Sequence, residues 1–557
     1  MTVSPTAQRA SRDSPTKLKI ALPTPDTTPP RPRLCVSPSS SSSSSSFLSA
    51  GKSYDQYGFL RSLSHTPIAE QLLYDAVFRS SCDARAAKWQ DYMAKSHHHR
   101  LPPRCEKTKR YVRKGIPHDL RKRAWFHYSG AEALCADEGV GLYALLCCRE
   151  EQDVRAGYSK DECEVIAHIV SIDRDVYRTF PENIKFRPRQ SSVPSTQFAR
   201  PDSRASFSSS TKSSSVSEEA SIHYEQNPYL LSLRRVLVAF AYYSTPSHPA
   251  AASRAPVRAP AYPVGYCQSL NFVAAFLLLV FADDDFDFEC GDGPARLLVE
   301  ERVFWMLVVV IENLLPREFF GSTLEGARTA QVVLWTHLIG QHGARFGLEP
   351  LQRWLARENA AAAAVSTPRS GGRKPPSASA SSTTLGLVTT GWFLTLFTTV
   401  LPPHALLRLW DSFIYQGEKV IFRFTLTLLA LNQRRIVDAT LADLSAWRIV
   451  KAMPAACYDV TACIEMFRGK LALADHRAGG LSIPFGRRRF GGKKQQPADV
   501  AVVVVSSPVT PTDENSVISR WEGADLGAFR RGVGTVTKKL LDMLREAALQ
   551  EIREADL

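Results

Sequence analysis

The sequence predicts an all-α protein: a helical body broken by low-complexity insertions and flanked by disordered tails. Three observations carry this. Apolar residues recur at three- and four-residue spacing in several stretches, no stretch alternates convincingly with period two, and Ser-, Pro- and Ala-rich tracts fall between the periodic stretches.

Residues 1–52 are rich in Ser, Pro and Thr, with an unbroken run from Ser39 to Ser46. Such a segment buries too little apolar surface to offset its ordering entropy, so a disordered tail is expected. An N-terminal helical extension follows over 53–110, with helical spacing from Glu70 to Met93. Between Asp161 and Arg178 the pattern is clearest: Val165, Ile169, Ile172 and Val176 share one helical face. Further helices are expected at Leu237 to Tyr243 and Phe272 to Phe281, and along the stripe Phe304, Leu307, Val308, Ile311, Leu314 and Leu315. Trp392 to Val400 and Val420 to Leu431 repeat the pattern. These stretches form one domain over 111–475, with insertions at about 187–225, 244–263 and 360–384 that bulge from its surface. A disordered linker over 476–520 leads to a C-terminal segment, 521–557, where Val533, Val536, Leu540, Met543, Leu544 and Ala547 make an amphipathic helix. Its mixed charges favour docking on protein over binding to anionic lipid.

At 557 residues, with 44% apolar and 22% charged residues, the chain can bury a sizeable core. The net charge of +14 points to anionic partners without choosing among them. Much of the excess lies in apparent tails, such as Arg487-Arg488-Arg489 with Lys493-Lys494, which read as solvated. No recognition motif accompanies the charge, so no nucleic acid is expected as a partner. Eleven Cys without a CxxC pair fit a reduced, cytoplasmic protein better than a disulfide scaffold or a zinc site. Cys147-Cys148 read as packed, and His97-His98-His99 as a polar loop. The apolar runs Phe272 to Ala282 and Val303 to Ile311 are too short to span a bilayer, so any association with endomembranes is expected to be peripheral.

Two stretches carry chemistry. In the first, Ile172 to Pro181, Asp175 and Arg178 are three apart and can pair on one helical face. Pro181 disfavours helix at Phe180, so Arg178 sits where helix gives way to loop. A carboxylate there would aim a guanidinium, whose fixed fork of donors suits phosphate. The plainer reading is a surface salt bridge. In the second, Val264 to Phe272, Gln268 lies near a helix start, where its amide could orient a water between a phosphate and a carbonyl. The plainer reading is a polar residue near a cap.

Together, IxxDxxRTFP and GYCQ resemble the signature pair of TBC-domain Rab GTPase-activating proteins. The resemblance extends through Lys114-Gly115-Ile116-Pro117, Leu120-Arg121, Trp125, Phe304-Trp305, Glu312 to Pro316, Leu324 to Ala327, Trp392-Phe393-Leu394, Leu401-Pro402 and Leu407-Arg408-Leu409-Trp410-Asp411, in family order. It implies the TBC helical fold and a GTP-loaded Rab-family GTPase as partner. Arg178 would be an arginine finger and Gln268 a water-orienting finger, supplied in trans to regulate vesicle traffic. Asp175 would position Arg178, and Thr179, Tyr266 and Asn271 would support the two loops. GTP and Mg²⁺ belong to the GTPase, so no cofactor is expected here. The chain has no GxxxxGK[ST] phosphate loop, in keeping with an activator that is not itself a hydrolase. The alternative is a non-catalytic Rab-binding scaffold. Ser269 stands where the family places Gly, and Ala330 where Asp is common. Trp125, Trp305, Trp392 and Trp410 are expected in the core, while Arg121 fits either a buried ion pair or a partner contact.

Overall fold

The computed structural model describes residues 53–61, 67–95, 101–138, 141–157, 164–187, 227–245, 262–282, 294–365, 380–458 and 535–556. The proposed disordered tail and linker, the histidine run and most of the three insertions lie outside these residues.

Among the described residues the protein is helical, with one isolated antiparallel bridge between Tyr54 and Leu60. A long helix, Ile68–Ala94, precedes the short helices Glu106–Lys114 and His118–Ser129. The middle of the body packs Glu164–Val176, Pro228–Ser244, Leu270–Phe281 and Pro294–Val309 against one another. Pro228 occupies the first turn of its helix, where no N–H is needed, and the Asn227 side chain accepts from the N–H groups of Tyr229 and Leu230. Arg234 on this helix donates to Asp173 at 2.7 Å and to both carboxylate oxygens of Glu150, fixing the neighbouring helices.

The four anticipated core tryptophans are all buried. Trp125 stacks on Trp410 with ring centroids 5.6 Å apart, and Phe276 meets Trp410 edge-on at 5.0 Å. Asp411, fully buried, lies at the polar centre of this apolar cluster. Its Oδ1 accepts from Arg121 Nε at 3.2 Å and Trp125 Nε1 at 2.8 Å, and its Oδ2 from the Ile116 N–H at 2.9 Å. Arg121 also donates to the Ile116 carbonyl at 2.6 Å, and Trp89 to the Gly115 carbonyl at 3.1 Å. Arg121 is therefore a buried structural ion pair.

Several details differ from the sequence reading. The helix expected over Trp392 to Val400 ends at Leu394, because Leu396 and Phe397 take φ of +48° and +66°. That reversal puts both side chains in the core, beyond the reach of periodicity. Helices Glu349–Val365 and Ala380–Leu394 run into both ends of the third insertion. Cys147 packs against the core, but Cys148 is exposed. The helix Lys538–Asp556 docks on protein, burying Val536 just before it and then Leu541, Leu544, Ala548 and Ile552. Met543 and Ala547 face outward, so the buried stripe is rotated from the one the sequence reading chose. Arg545 pairs with Glu418 at 2.7 Å beneath this helix. Among the described residues, no helix is long and apolar enough to cross a membrane, and no His, Cys, Asp or Glu group could hold a metal ion.

Removing one partner of a buried ion pair strands the other, at a cost of about 3–5 kcal/mol. Asp411→Ala is therefore expected to destabilise the chain by about that amount, measured by urea unfolding. A loss below about 1 kcal/mol, the scale of a typical net hydrogen bond, would contradict the central role given to this carboxylate.

Candidate functional site

The helix Glu164–Val176 buries Val165, Ile169, Ile172 and Val176, the face that the spacing predicted. It ends on the carbonyl of Asp175, which accepts the Arg178 N–H at 3.1 Å and the Thr179 hydroxyl at 2.8 Å. Two residues on, Phe180 takes φ of +45°, a conformation that costs a non-glycine residue about 1–3 kcal/mol. An aromatic cluster holds it there. Phe59 meets its ring edge-on at 5.1 Å, with Phe272 at 5.3 Å and Phe186 at 5.9 Å. The chain just beyond is tied to the N-terminal segment: Asn183 donates to the Tyr57 carbonyl at 3.0 Å, and the Ile184 N–H to the Gly58 carbonyl at 2.8 Å.

The Gln268 stretch lies directly on this helix. Gly265 takes φ of +58°, and a Cβ there would fall 2.0 Å from His168 Nε2, so only glycine fits. Burial pushes the His168 imidazole below its ordinary pKa. The next helix, Leu270–Phe281, starts two residues after Gln268. Ser269 sits at its N-terminal boundary with φ of +96° and makes no side-chain cap. Gln268 itself is exposed.

One buried carboxylate and one buried amide join the two stretches. Asp175 receives Arg178 Nη2 on Oδ1 and the Tyr266 hydroxyl, at 2.8 Å, on Oδ2. Asn271 accepts the Ser269 N–H at 3.2 Å and donates to Thr179 Oγ1 at 2.8 Å and to the Asp175 carbonyl at 3.4 Å. All six residues singled out in the sequence are thus brought together. Asp175, Thr179, Tyr266 and Asn271 are buried, whereas the Arg178 side chain is 65% exposed. Burial, and then the bond to Asp175, push the Tyr266 phenol well up, so it remains a protonated donor. Burial pushes the Cys267 thiol up to about 11, which keeps it neutral. The arrangement presents a guanidinium and a carboxamide from a fixed frame, suited to donating hydrogen bonds to anionic oxygen on another molecule.

A cavity of about 440 Å³ opens beside Arg178, walled by Phe59, Phe180, Phe272, Thr399 and Tyr458. A larger one, about 1230 Å³, lies under the C-terminal helix and touches none of the six residues, so size does not mark the site. The positioning roles of Phe59, Phe180 and His168 carry no signal in the sequence, because each acts through a contact that periodicity does not report. Ala330 is buried in the core, so its departure from the family pattern concerns packing and not an exposed surface.

Ser269 in a left-handed conformation is strained. Ser269→Gly is expected to relieve about 1 kcal/mol after the entropy of the freer unfolded chain is subtracted. That corresponds to a rise in Tm of about 2 °C; an unchanged or lower Tm would contradict the strain.

A family model described as the Rab-GTPase-TBC domain matches residues 213–345 and 381–437. Gln268 falls inside the match and Arg178 before it. The GTPase-activating protein GYP3 of Saccharomyces cerevisiae is 27% identical over 400 residues, 68% of this chain and 50% of that protein. The GTPase-activating protein MSB4 of the same organism is 26% identical, over 70% of this chain and 64% of its own. Growth hormone-regulated TBC protein 1 of Xenopus laevis is 25% identical, over 69% of this chain and 79% of its own. The chain therefore spans less than two thirds of the length of the two yeast relatives. A crystal structure of the Chlamydomonas flagellar RabGAP TBC domain aligns with a TM-score of 0.44 at 20% identity, covering 74% of this chain and 97% of that one. The Rab-GTPase-TBC domain model is thus matched on both sides of an insertion, and over about two thirds of its length the chain is similar to curated TBC-domain and GTPase-activating proteins.

Proposed function

We propose that this chain accelerates GTP hydrolysis by a Rab-family GTPase, with Arg178 and Gln268 entering the partner's site in trans. The observation that carries the reading is the shared frame. Asp175, held by Tyr266 from 91 residues away, also anchors Arg178. Asn271 ties the backbone beside Gln268 to the turn that bears Arg178. The backbone segments that bear two exposed polar side chains, Arg178 and Gln268, are thereby tied to one another, a pre-organisation that favours in-trans catalysis.

In this reading the Arg178 guanidinium donates to the phosphate oxygens as negative charge redistributes in the transition state. Asp175 aims it, and the protonated Tyr266 fixes Asp175. The Gln268 Oε1 accepts a hydrogen bond from the attacking water and its Nε2 donates to the phosphate, so the water lies in line with the bond that breaks. GTP and Mg²⁺ arrive with the GTPase, and this chain needs no cofactor of its own. It works as a cytoplasmic protein that visits endomembranes peripherally and so acts on vesicle traffic. The yeast relatives' names, GTPase-activating proteins, agree with this reading.

Single-turnover GTP hydrolysis across a panel of Rab GTPases tests it. Wild-type chain is expected to stimulate at least one member. Arg178→Ala should lower that stimulation by about 10³- to 10⁵-fold, and Gln268→Ala by about 10²-fold. GTP-dependent binding with unchanged hydrolysis would replace this reading with that of a binding scaffold.

Tyr266→Phe removes only the hydroxyl that fixes Asp175. It is expected to lower the single-turnover rate at saturating activator by about 10-fold, on the scale of one hydrogen bond to a charged group, with affinity for the GTPase unchanged. A loss confined to affinity would contradict the positioning role.

A further inference from the structure

Around Asp411 the charges do not balance. Arg85, Arg121 and Arg408 lie within electrostatic reach of it and of one another, three guanidinium groups to one carboxylate. Asp411 is already committed to Arg121, Trp125 and the Ile116 N–H. Arg408, 3% exposed, donates from Nη2 to the Arg113 carbonyl at 3.0 Å, but its Nε and Nη1 are buried and meet no acceptor among the described residues. Among the described residues Arg85 bonds to Cys82 Sγ and Ser81 Oγ and lies over the Phe78 ring, all in its own helix.

The backbone is shaped to bring Arg85 and Arg408 close. Both cross Gly115, which takes φ of +107°. A Cβ there would lie 2.9 Å from Arg408 Cδ and 3.3 Å from Arg85 Nη1. Two like charges over one glycine repel, and burying them adds a desolvation cost that a counter-charge would offset. Burial, and next the charge of Arg85, push Arg408 down to about 9. Cys82 does not serve as the counter-ion, because burial raises its thiol pKa and keeps it neutral. A cavity of about 300 Å³, bordered by Cys82, Arg121, Tyr57, His118 and the exposed Asp83, touches this cluster at Arg121, while Arg85 and Arg408 lie outside its lining. It is roomy beside the ~30 Å³ that a water occupies in the liquid.

We propose that Arg85, Arg408 and Arg121 form a binding site for a small inorganic anion, of the chloride or phosphate class, that completes the polar centre around Asp411. The buried Nε and Nη1 of Arg408, which meet no acceptor among the described residues, supply the donors, Arg85 lies beside them across Gly115, and Arg121 adds the third positive charge. Burial restricts the occupant to a free ion, since a lipid headgroup or an acidic peptide could not bring its remainder along. An anion bound only in the folded state raises stability in a saturable way.

Thermal unfolding of the full chain at constant ionic strength tests this, with gluconate exchanged stepwise for chloride in one arm and for inorganic phosphate in another. The expected result is a saturable rise in Tm of at least about 2–4 °C in one or both arms; the arm that responds identifies the ion. Arg408→Met should abolish the response. If that variant fails to fold, Arg85→Gln, at a half-buried position, should weaken the response at least tenfold in midpoint concentration. Crystals grown in bromide should show an anomalous peak between Arg85 and Arg408 if chloride is the responding ion. A flat Tm in both arms, or a response that survives in the variants, overturns the proposal.

Discussion

The fold is organised around a carboxylate with no exposure to solvent. Asp411 collects the opening loop of the domain, the His118–Ser129 helix and the tryptophan pair at one point, joining segments 286 to 295 residues apart in sequence. A buried carboxylate is tolerated only when its oxygens are satisfied, so the geometry of its three donors is strongly constrained. Trp125 stacks on Trp410 while donating to Asp411, and Trp89 bonds to Gly115 next to the Ile116 N–H that Asp411 accepts. Helices on both sides of the body inherit their placement from this centre.

The second polar node, Asp175 with Asn271, is built differently. Its own groups are buried, but it bonds to a side chain, Arg178, that is exposed. A neutral amide links the two loops, so the link is little affected by salt. Local strain at Phe180 is held by the rings packed around it, and at Ser269 by the bond from its N–H to Asn271. Two buried acidic residues thus differ in their surroundings: Asp411 bonds only to buried groups, Asp175 to a buried phenol and an exposed guanidinium.

Much of this was legible in the sequence. The stripe Val165, Ile169, Ile172 and Val176 announced its helix and the buried face, because helical periodicity is a local property. Pro181 marked the end of that helix to within a few residues. Asp175, Arg178, Gln268 and their neighbours could be singled out because motif order supplied what spacing alone left ambiguous. What stayed hidden depends on contacts across the fold: the Asn271 bridge, the His168 ring beneath Gly265, and the reversal at Leu396 and Phe397. The C-terminal helix failed in a subtler way, since Met543 is apolar enough to join a buried stripe and only the docked partner shows that it does not.

The packing of Phe59 on Phe180 bears on where the working unit begins. The recognisable domain match starts at residue 213, and the motif resemblance at Lys114. The ring that pins the strained turn, the backbone that receives Asn183, and the indole that caps Gly115 all come from residues 57–89. A fragment cut at Lys114 would keep every signature residue of the resemblance yet lose the wall behind Arg178, and one cut at 213 would lose Arg178 itself. The minimal folding unit and the minimal recognisable unit are therefore different lengths of chain, and the N-terminal extension belongs to the domain as much as its motifs do.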